Sequence, residues 1–276
     1  MTDVQKCIVC GSGELTSFPS EVSDFVVNRV LGGKPVDIRL EFCRACSMVF
    51  YNPRFDAHEM DRLYAGYRDD QYNRQRLEHD PDYDQNHRDN LRSRIEYFDR
   101  FCNGLNRSWR GSVLDFGGLR GEFINAAFPK AEKFVYDISG VAPVDGVRAV
   151  GGEPSQKFDF IVCAQVLEHV ADPGTLVDQI KRFSHARTRF YFAVPMDFPP
   201  FQRLPGRLVN MLPAYMRLRE ILKRPGRYPL YEHVNYFCAP SLRNFFETHG
   251  FEISKIGLSR DSNLSCLAVT KEERMS

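Results

Sequence analysis

The chain contains eight cysteines, and four of them have the spacing of a metal site. Cys7 and Cys10 form one C-x-x-C pair, and Cys43 and Cys46 form a second. Two such pairs supply the four thiolates of the closed tetrahedral shell that zinc prefers, so the pattern predicts a structural zinc ion. A thioredoxin-like redox motif would leave the second pair unexplained, and a cysteine-lined core without metal is the alternative. The other four cysteines show no ligand spacing and are expected to be buried apolar residues: Cys102, Cys163, Cys238 and Cys266.

A glycine-rich turn follows a predicted buried strand in the middle of the chain. The strand ends at Asp115-Phe116, and the turn contains Gly117, Gly118 and Gly121 before a helix opens. Glycines let the backbone approach a ligand closely, and the first turn of a helix offers N–H groups to a carboxylate. A dinucleotide would also use such a turn, but the G-x-G-x-x-G pattern is absent.

Two further strands are predicted to bring polar residues to the same edge of a sheet. Residues 133–137 form an apolar strand that ends in Asp137, and residues 158–163 form a buried strand followed by Ala164 and Gln165. Ligands of open α/β sheets lie at the carboxyl ends of the strands. This order predicts a pocket for S-adenosylmethionine, in which Asp115 and the three glycines shape the methionine end, Asp137 binds the ribose and Ala164-Gln165 lie beside the sulfonium. A purely structural strand–turn–helix is the alternative.

Length and composition place the chain among ordinary soluble globular proteins. It has 276 residues, of which 43% are hydrophobic and 26% charged, and its formal net charge is +1. This balance gives no global reason to expect a nucleic-acid partner. No apolar run approaches about 18 residues, and the N-terminal segment lacks the apolar region of a signal peptide. A cytoplasmic location, with reduced thiols, is therefore predicted.

The strand order, the glycine turn and the acid after the second strand resemble the class I S-adenosylmethionine-dependent methyltransferases. The first motif of that family reads acid-x-Gly-x-Gly-x-Gly, and here Leu119 occupies the central glycine position. With the paired cysteines, the chain is similar to the zinc-containing C-methyltransferases of nucleotide-linked sugars and to related methyltransferases of glycan gene clusters. The resemblance extends from Cys7 to about Phe251. It implies an α/β fold, with a Rossmann-like seven-stranded methyltransferase sheet and a small N-terminal zinc-binding module.

Three regions are predicted: a zinc-binding module at 1–55, a helical connector at 56–108 and a cofactor-binding domain at 109–271. Within the connector, the polar segment 67–87 is predicted to be a linker that becomes ordered on docking. The cofactor domain carries an insertion at 198–228 with seven basic residues and one acidic residue. This insertion is expected to cover the acceptor site and to contact a diphosphate or an anionic membrane surface. A helical lid with a solvated basic face is the alternative.

The resemblance implies catalytic residues near the end of the cofactor domain. Glu232-His233 occupy the place of a Glu-His pair that lies in the active site of the sugar C-methyltransferases, where the histidine is the general base. C-methylation needs a base that removes a proton beside a carbonyl, and neutral imidazole suits this near pH 7. A helix-entry cap is the structural alternative. Leu230 replaces the tyrosine that the family has two residues before the glutamate, so Tyr231 or Tyr228 is expected to substitute.

His169 falls where the family places a histidine near the acceptor, and a structural histidine at a helix start is the alternative. The predicted activity is methyl transfer from S-adenosylmethionine to a sugar or other small polar acceptor that is anionic and nucleotide- or lipid-linked, with C-methylation preferred. O-methylation, in which His233 or His169 deprotonates a hydroxyl, and a non-catalytic cofactor-binding scaffold are the alternatives. RNA methylation is disfavoured because the basic residues are confined to one insertion.

Overall fold

Two β-sheets organise the chain in the computed structural model. It describes residues 1–67, 69–79, 85–152, 156–196, 198, 208, 211–221, 229–230 and 232–271, without the side chains of 85–90 and 218–221. In these ranges no helix has both the length and the apolar character needed to cross a membrane.

The first sheet is antiparallel and has the strand order β1-β2-β3-β9. Its first three strands are β1 (Leu15–Ser20), β2 (Ile38–Cys43) and β3 (Val49–Asn52), and α1 (Asp24–Arg29) lies between the first two in sequence. The fourth strand, β9 (Asn235–Tyr236), comes from the far end of the chain and pairs with β3. The cysteine-containing segment is therefore joined directly to the predicted acceptor side.

Helices connect the two sheets. They are α2 (Ala57–Tyr64), α3 (Asp70–His79), α4 (Gln85–Phe101) and α5 (Leu105–Ser108). α2 begins with a capping box, in which the Asp56 side chain accepts from Glu59 N and the Glu59 side chain accepts from Asp56 N. Segment 67–87, which the sequence predicts to be a linker that becomes ordered on docking, contains α3. Tyr72 of this helix is fully buried and packs against Phe25 of α1.

The second sheet has seven strands in the order β10-β11-β8-β7-β4-β5-β6. Strands β4 to β8 run parallel, and β10 runs in the same direction, whereas β11 lies between β10 and β8 and is antiparallel to both. The strands are β4 (Ser112–Phe116), β5 (Glu132–Tyr136), β6 (Val147–Ala149), β7 (Phe158–Ala164), β8 (Ser184–Pro195), β10 (Phe251–Leu258) and β11 (Asn263–Thr270). The helices of this half are α6 (Glu122–Ala127), α7 (Pro173–Lys181), α8 (Leu212–Ile221) and α9 (Ala239–Thr248). The predicted Rossmann-like seven-stranded fold is confirmed.

Apolar clusters cover both faces of the seven-stranded sheet, as expected for a sheet with parallel strands. On one face, Val113 and Phe160 pack with Phe98 of α4 and Phe123 of α6. On the other face, the buried cluster runs without a break from sheet residues such as Leu114 to the cysteines of the N-terminal segment. The cysteine segment and the sheet thus share one hydrophobic core.

Candidate active site and candidate metal centre

A cavity of about 360 Å³ opens at the carboxyl ends of β4, β5 and β7. Its lining includes six of the seven residues predicted to bind the cofactor: Asp115, Gly117, Gly118, Asp137, Ala164 and Gln165. The seventh, Gly121, is the N-cap of α6. Parallel strands bring their carboxyl ends to one edge, which is why residues separated by some fifty positions meet here.

The glycine turn has the conformation that the pocket requires. Gly117 has a φ of +76°, and a Cβ at this position would lie 2.6 Å from Val166 Cγ2. A Cβ on Gly118 would collide with the carboxyl group of Asp115. Gly118 therefore keeps the space beside the Asp115 carboxylate open, and Gly117 allows the turn to pack closely against Val166.

Asp115 presents a buried carboxylate to this cavity, with 3% of the residue exposed. Burial raises the pKa of Asp115 to about 7, while the nearby Arg94 guanidinium lowers it. Among the described residues, Asp115 Oδ2 is buried without a hydrogen-bond partner. Such an atom costs stability unless a ligand donates to it, so the cavity is suited to a ligand with a cationic N–H group.

Asp137 holds the loop that follows β4. One carboxylate oxygen accepts from Leu119 N at 2.7 Å, and the other accepts from Ser139 N at 2.9 Å. Leu119 has a φ of +52°, so the leucine at the family's central glycine position adopts a left-handed conformation that glycine favours. Each carboxylate oxygen has a second lone pair, which leaves Asp137 able to accept hydrogen bonds from ribose hydroxyls.

The histidines predicted on the acceptor side meet in the fold. The rings of His169 and His233 lie edge to face, with centroids 4.7 Å apart. Tyr67 lines the cofactor cavity, and its ring centroid is 6.2 Å from that of His169. Tyr67 thus contacts both the cavity and the His169 ring of the histidine pair.

Tyr64 joins His169 to the turn that carries Glu232. Its hydroxyl lies 2.7 Å from His169 Nδ1 and 3.1 Å from the carbonyl oxygen of Glu232. On its other side, His169 Nε2 lies 3.7 Å from Glu168 Oε1. Both ring nitrogens of His169 therefore face polar groups of the protein.

The Glu232 carboxylate is buried and held by α3. Its Oε1 atom accepts from the Tyr72 hydroxyl at 2.7 Å and from Arg76 Nε at 2.8 Å. Burial and the Glu232 charge raise the pKa of Tyr72, which keeps the phenol protonated as a donor. These contacts fix the turn that carries His233 against α3.

Several residues of this site were not found from the sequence. Tyr64 and Tyr67 belong to a helical apolar stripe, a pattern that predicts core packing, while Tyr72, Arg76 and Arg94 stand in polar helices. The sequence feature that could have indicated these residues is the high density of tyrosine and arginine between positions 64 and 76. Tyr231 and Tyr228 lie outside the described residues, as does most of the insertion at 198–228.

The two C-x-x-C pairs converge as predicted. Cys7 Sγ lies 3.6 Å from Cys46 Sγ, and Cys10 Sγ lies 3.5 Å from Cys43 Sγ. All four sulfurs lie within 4.8 Å of one another. Zinc–sulfur bonds of about 2.3 Å in a tetrahedron separate the sulfurs by roughly 3.8 Å, so the cluster has the dimensions of a zinc shell. The hydrogen bond from Cys46 lowers the pKa of Cys7 to about 6 and raises the pKa of Cys46, while burial raises the pKa of Cys43 to about 11. The spacing of the sulfurs, rather than their charge, is therefore the feature that fits a metal.

The other four cysteines are buried, as expected, and contribute to the cores: Cys102, Cys163, Cys238 and Cys266. Burial raises the pKa of each of these thiols, so they remain protonated.

Comparison with known proteins identifies the domain. The sequence family described as a methyltransferase domain matches residues 83–256. Similar solved structures include the 1,6-didemethyltoxoflavin-N1-methyltransferase of Burkholderia thailandensis with bound 1,6-didemethyltoxoflavin and S-adenosylhomocysteine. It has a TM-score of 0.52 and 16% identity, covering 81% of this chain and 95% of that chain.

A second similar structure is the plantazolicin methyltransferase BpumL in complex with a triazolic desmethylPZN analog and SAH. It has a TM-score of 0.51 and 10% identity, and the match covers 76% of this chain and 95% of that chain. At these identities the likeness shows the fold. None of the curated proteins matches the chain in sequence.

Proposed function

The chain belongs to the methyltransferase-domain family, and from this premise we propose that it transfers the methyl group of S-adenosylmethionine to a small polar acceptor. The observation that carries the proposal is the position of the His169–His233 pair beside Tyr67, which lines a cavity with a buried carboxylate. A cofactor pocket beside two potential proton acceptors is the arrangement that deprotonation and methylation of one substrate require.

The cavity residues fit the methionine end of S-adenosylmethionine, which carries an ammonium and a carboxylate. Asp115 Oδ2 would accept a hydrogen bond from the ammonium, and Arg94, which lines the same cavity, would bind the carboxylate. Asp137 would accept from the ribose hydroxyls, and Ala164-Gln165 would form the wall beside the sulfonium. The cofactor supplies an electrophilic methyl group when bound.

The histidine pair beside Tyr67 supplies the proton acceptor. We assign the general base to His233, with His169 beside it and hydrogen-bonded to the Tyr64 hydroxyl. C-methylation requires removal of a proton next to a carbonyl, and O-methylation requires removal of a hydroxyl proton; a neutral imidazole serves either. We prefer C-methylation of a sugar, with the seven basic residues of 198–228 facing a linked diphosphate or an anionic membrane.

The four-cysteine cluster is proposed to hold a structural zinc ion. Four protein ligands close the shell, so the ion would stabilise the fold and leave no position for substrate. Its role in the reaction would be indirect.

A screen of nucleotide-linked sugars tests the acceptor. Methyl transfer from labelled S-adenosylmethionine is compared between sugars that bear a ketone and matched sugars that bear only hydroxyls. We expect product with the ketone set and methyl attached to the carbon next to the carbonyl. Methylation of the hydroxyl set would favour O-methylation. Binding of S-adenosylhomocysteine without transfer to any acceptor would favour the non-catalytic cofactor-binding scaffold.

A further inference from the structure

Arg54 is a buried arginine that joins three separate segments of the chain, with 6% of the residue exposed. Its Nη1 atom donates to the carbonyls of Val234 at 3.0 Å and Tyr51 at 3.4 Å. Its Nη2 atom donates to the carbonyls of Ala171 at 2.6 Å and Val170 at 3.2 Å. The guanidinium therefore connects β3 of the first sheet with two loops of the second half.

Each of these two loops carries one histidine of the acceptor side. Val170 follows His169, and Val234 follows His233. Asn235 reinforces the junction, because its side-chain amide donates to the Val170 carbonyl at 2.7 Å. Arg54 thus donates to the carbonyl that follows each histidine, and Asn235 donates to the one that follows His169. These hydrogen bonds fix the backbone on the C-terminal side of both histidines.

A second set of contacts anchors the arginine to the cysteine segment. The Val234 carbonyl also accepts from Tyr51 N at 3.2 Å, and β3 pairs with β9 through Val49 with Tyr236. The Cys238 thiol donates to the Ser47 carbonyl, which belongs to the second cysteine knuckle. The loop of His233 is consequently built onto the metal-binding segment.

A cation at this position is costly. Burial lowers the pKa of Arg54 to about 10, although Asp172 partly offsets this. Among the described residues, the hydrogen-bond acceptors of the guanidinium are all backbone carbonyls. An apolar side chain would fill the space without the desolvation cost, whereas the planar fork of arginine is suited to bridge several carbonyls at once.

We propose that Arg54 is a positioning residue of the acceptor site, which holds His169 and His233 in their edge-to-face arrangement by binding the carbonyls that follow them. The inference rests on the proposed function, since it assigns Arg54 to the same histidine pair. It makes the cysteine segment a structural part of the acceptor site.

Histidine NMR tests the inference without an acceptor. Full-length protein labelled with ¹⁵N-histidine reports the tautomer of each ring, and Arg54→Met and Arg54→Lys are compared with the unmodified chain. Arg107→Lys is the matched control, because Arg107 also donates to a backbone carbonyl, that of Ala126, but lies on α5. The rings of His185 and His249 serve as internal references.

In Arg54→Met we expect the tautomer populations of His169 and His233 to change and their ¹⁵N signals to shift, with smaller changes in Arg54→Lys. His185 and His249 should be unchanged, zinc content should be retained, and affinity for S-adenosylhomocysteine should stay within about twofold. Arg107→Lys should leave both acceptor-side histidines unaltered. If Arg54→Met does not fold, the same criterion applies to Arg54→Lys.

Wild-type tautomers of His169 and His233 in the folded variant would overturn the inference. Failure to methylate any acceptor would count against the proposed function but would leave the NMR result standing, so the two failures are distinguishable. With an acceptor in hand, Arg54→Met should lower kcat by roughly 10²-fold, because displacement of a base by about 1 Å has that effect, with KM for the cofactor unchanged.

Discussion

Replacing Asp115 with asparagine should stabilise the ligand-free protein at neutral and alkaline pH while weakening cofactor binding. Burial raises the pKa of Asp115 to about 7 from the ordinary 3.8. The folded state therefore binds the proton more tightly than the unfolded state, and the stability linked to this group is present in acid and lost as pH rises from 3.8 through about 7. At 1.36 kcal/mol per pH unit, the loss is about 4 kcal/mol.

The asparagine side chain lacks that charge and has nearly the same size as the carboxylate it replaces. The difference in free energy of unfolding between Asp115→Asn and the wild type should be near zero at pH 4 and rise towards about 4 kcal/mol at pH 8. Urea denaturation across this pH range measures it. S-adenosylhomocysteine affinity should fall roughly 10- to 100-fold, the effect of losing a hydrogen bond to a charged group.

Asp159→Asn is the matched control with the opposite sign. Burial opposes ionisation of Asp159, but hydrogen bonds from Ser112 and His185 lower its pKa overall. The stability that ionised Asp159 contributes is present above the ordinary pKa of the group and is lost as pH falls. Asp159→Asn should therefore destabilise the protein at pH 8 and have less effect in acid. A destabilised Asp115→Asn at pH 8, or one with unchanged cofactor affinity, would refute the assignment of Asp115.

Three further outcomes are expected. The protein should contain about one zinc ion and lose thermal stability with chelators. Cys43→Ser should abolish zinc binding, whereas the control Cys102→Ser should retain it. A folded, zinc-free wild type would exclude the metal site. Leu119→Gly should raise the free energy of unfolding by roughly 0.5–1 kcal/mol, because relief of the left-handed strain exceeds the added chain entropy; a loss of stability would contradict this. Asp137→Ala should weaken S-adenosylhomocysteine binding by about 2–4 kcal/mol without unfolding the domain, and unchanged affinity by calorimetry would move the ribose site elsewhere.

The cofactor side of the site could be predicted from the sequence because its residues follow local rules. Asp115, Asp137 and Gln165 each stand at the end of an apolar run, and the carboxyl ends of parallel strands meet at one edge. The spacing of the four cysteines is by itself enough to predict that their side chains lie together. Leu119 does not disrupt the family's turn, because the Asp137 carboxylate accepts from Leu119 N and holds this residue in the conformation that glycine favours.

The acceptor side depends on contacts that no local pattern encodes. β9 has only two residues, and its pairing with β3 joins positions nearly two hundred residues apart. Tyr72 and Arg76 bind Glu232 across a similar separation, from a helix whose composition is typical of an exposed segment. Arg54 binds carbonyls, which every residue has, so its partners leave no trace in the sequence. Such contacts are set by tertiary packing rather than by periodicity.

The central claim is that the histidine pair serves methyl transfer beside the cofactor cavity. The most direct test is turnover of labelled S-adenosylmethionine with a ketone-bearing nucleotide sugar, measured for the wild type and His233→Ala, with S-adenosylhomocysteine affinity measured in parallel. The account predicts a roughly 10²- to 10⁴-fold loss of turnover with nearly unchanged affinity, because only the proton acceptor is removed. Full turnover by His233→Ala would contradict it and reduce Glu232-His233 to a structural turn.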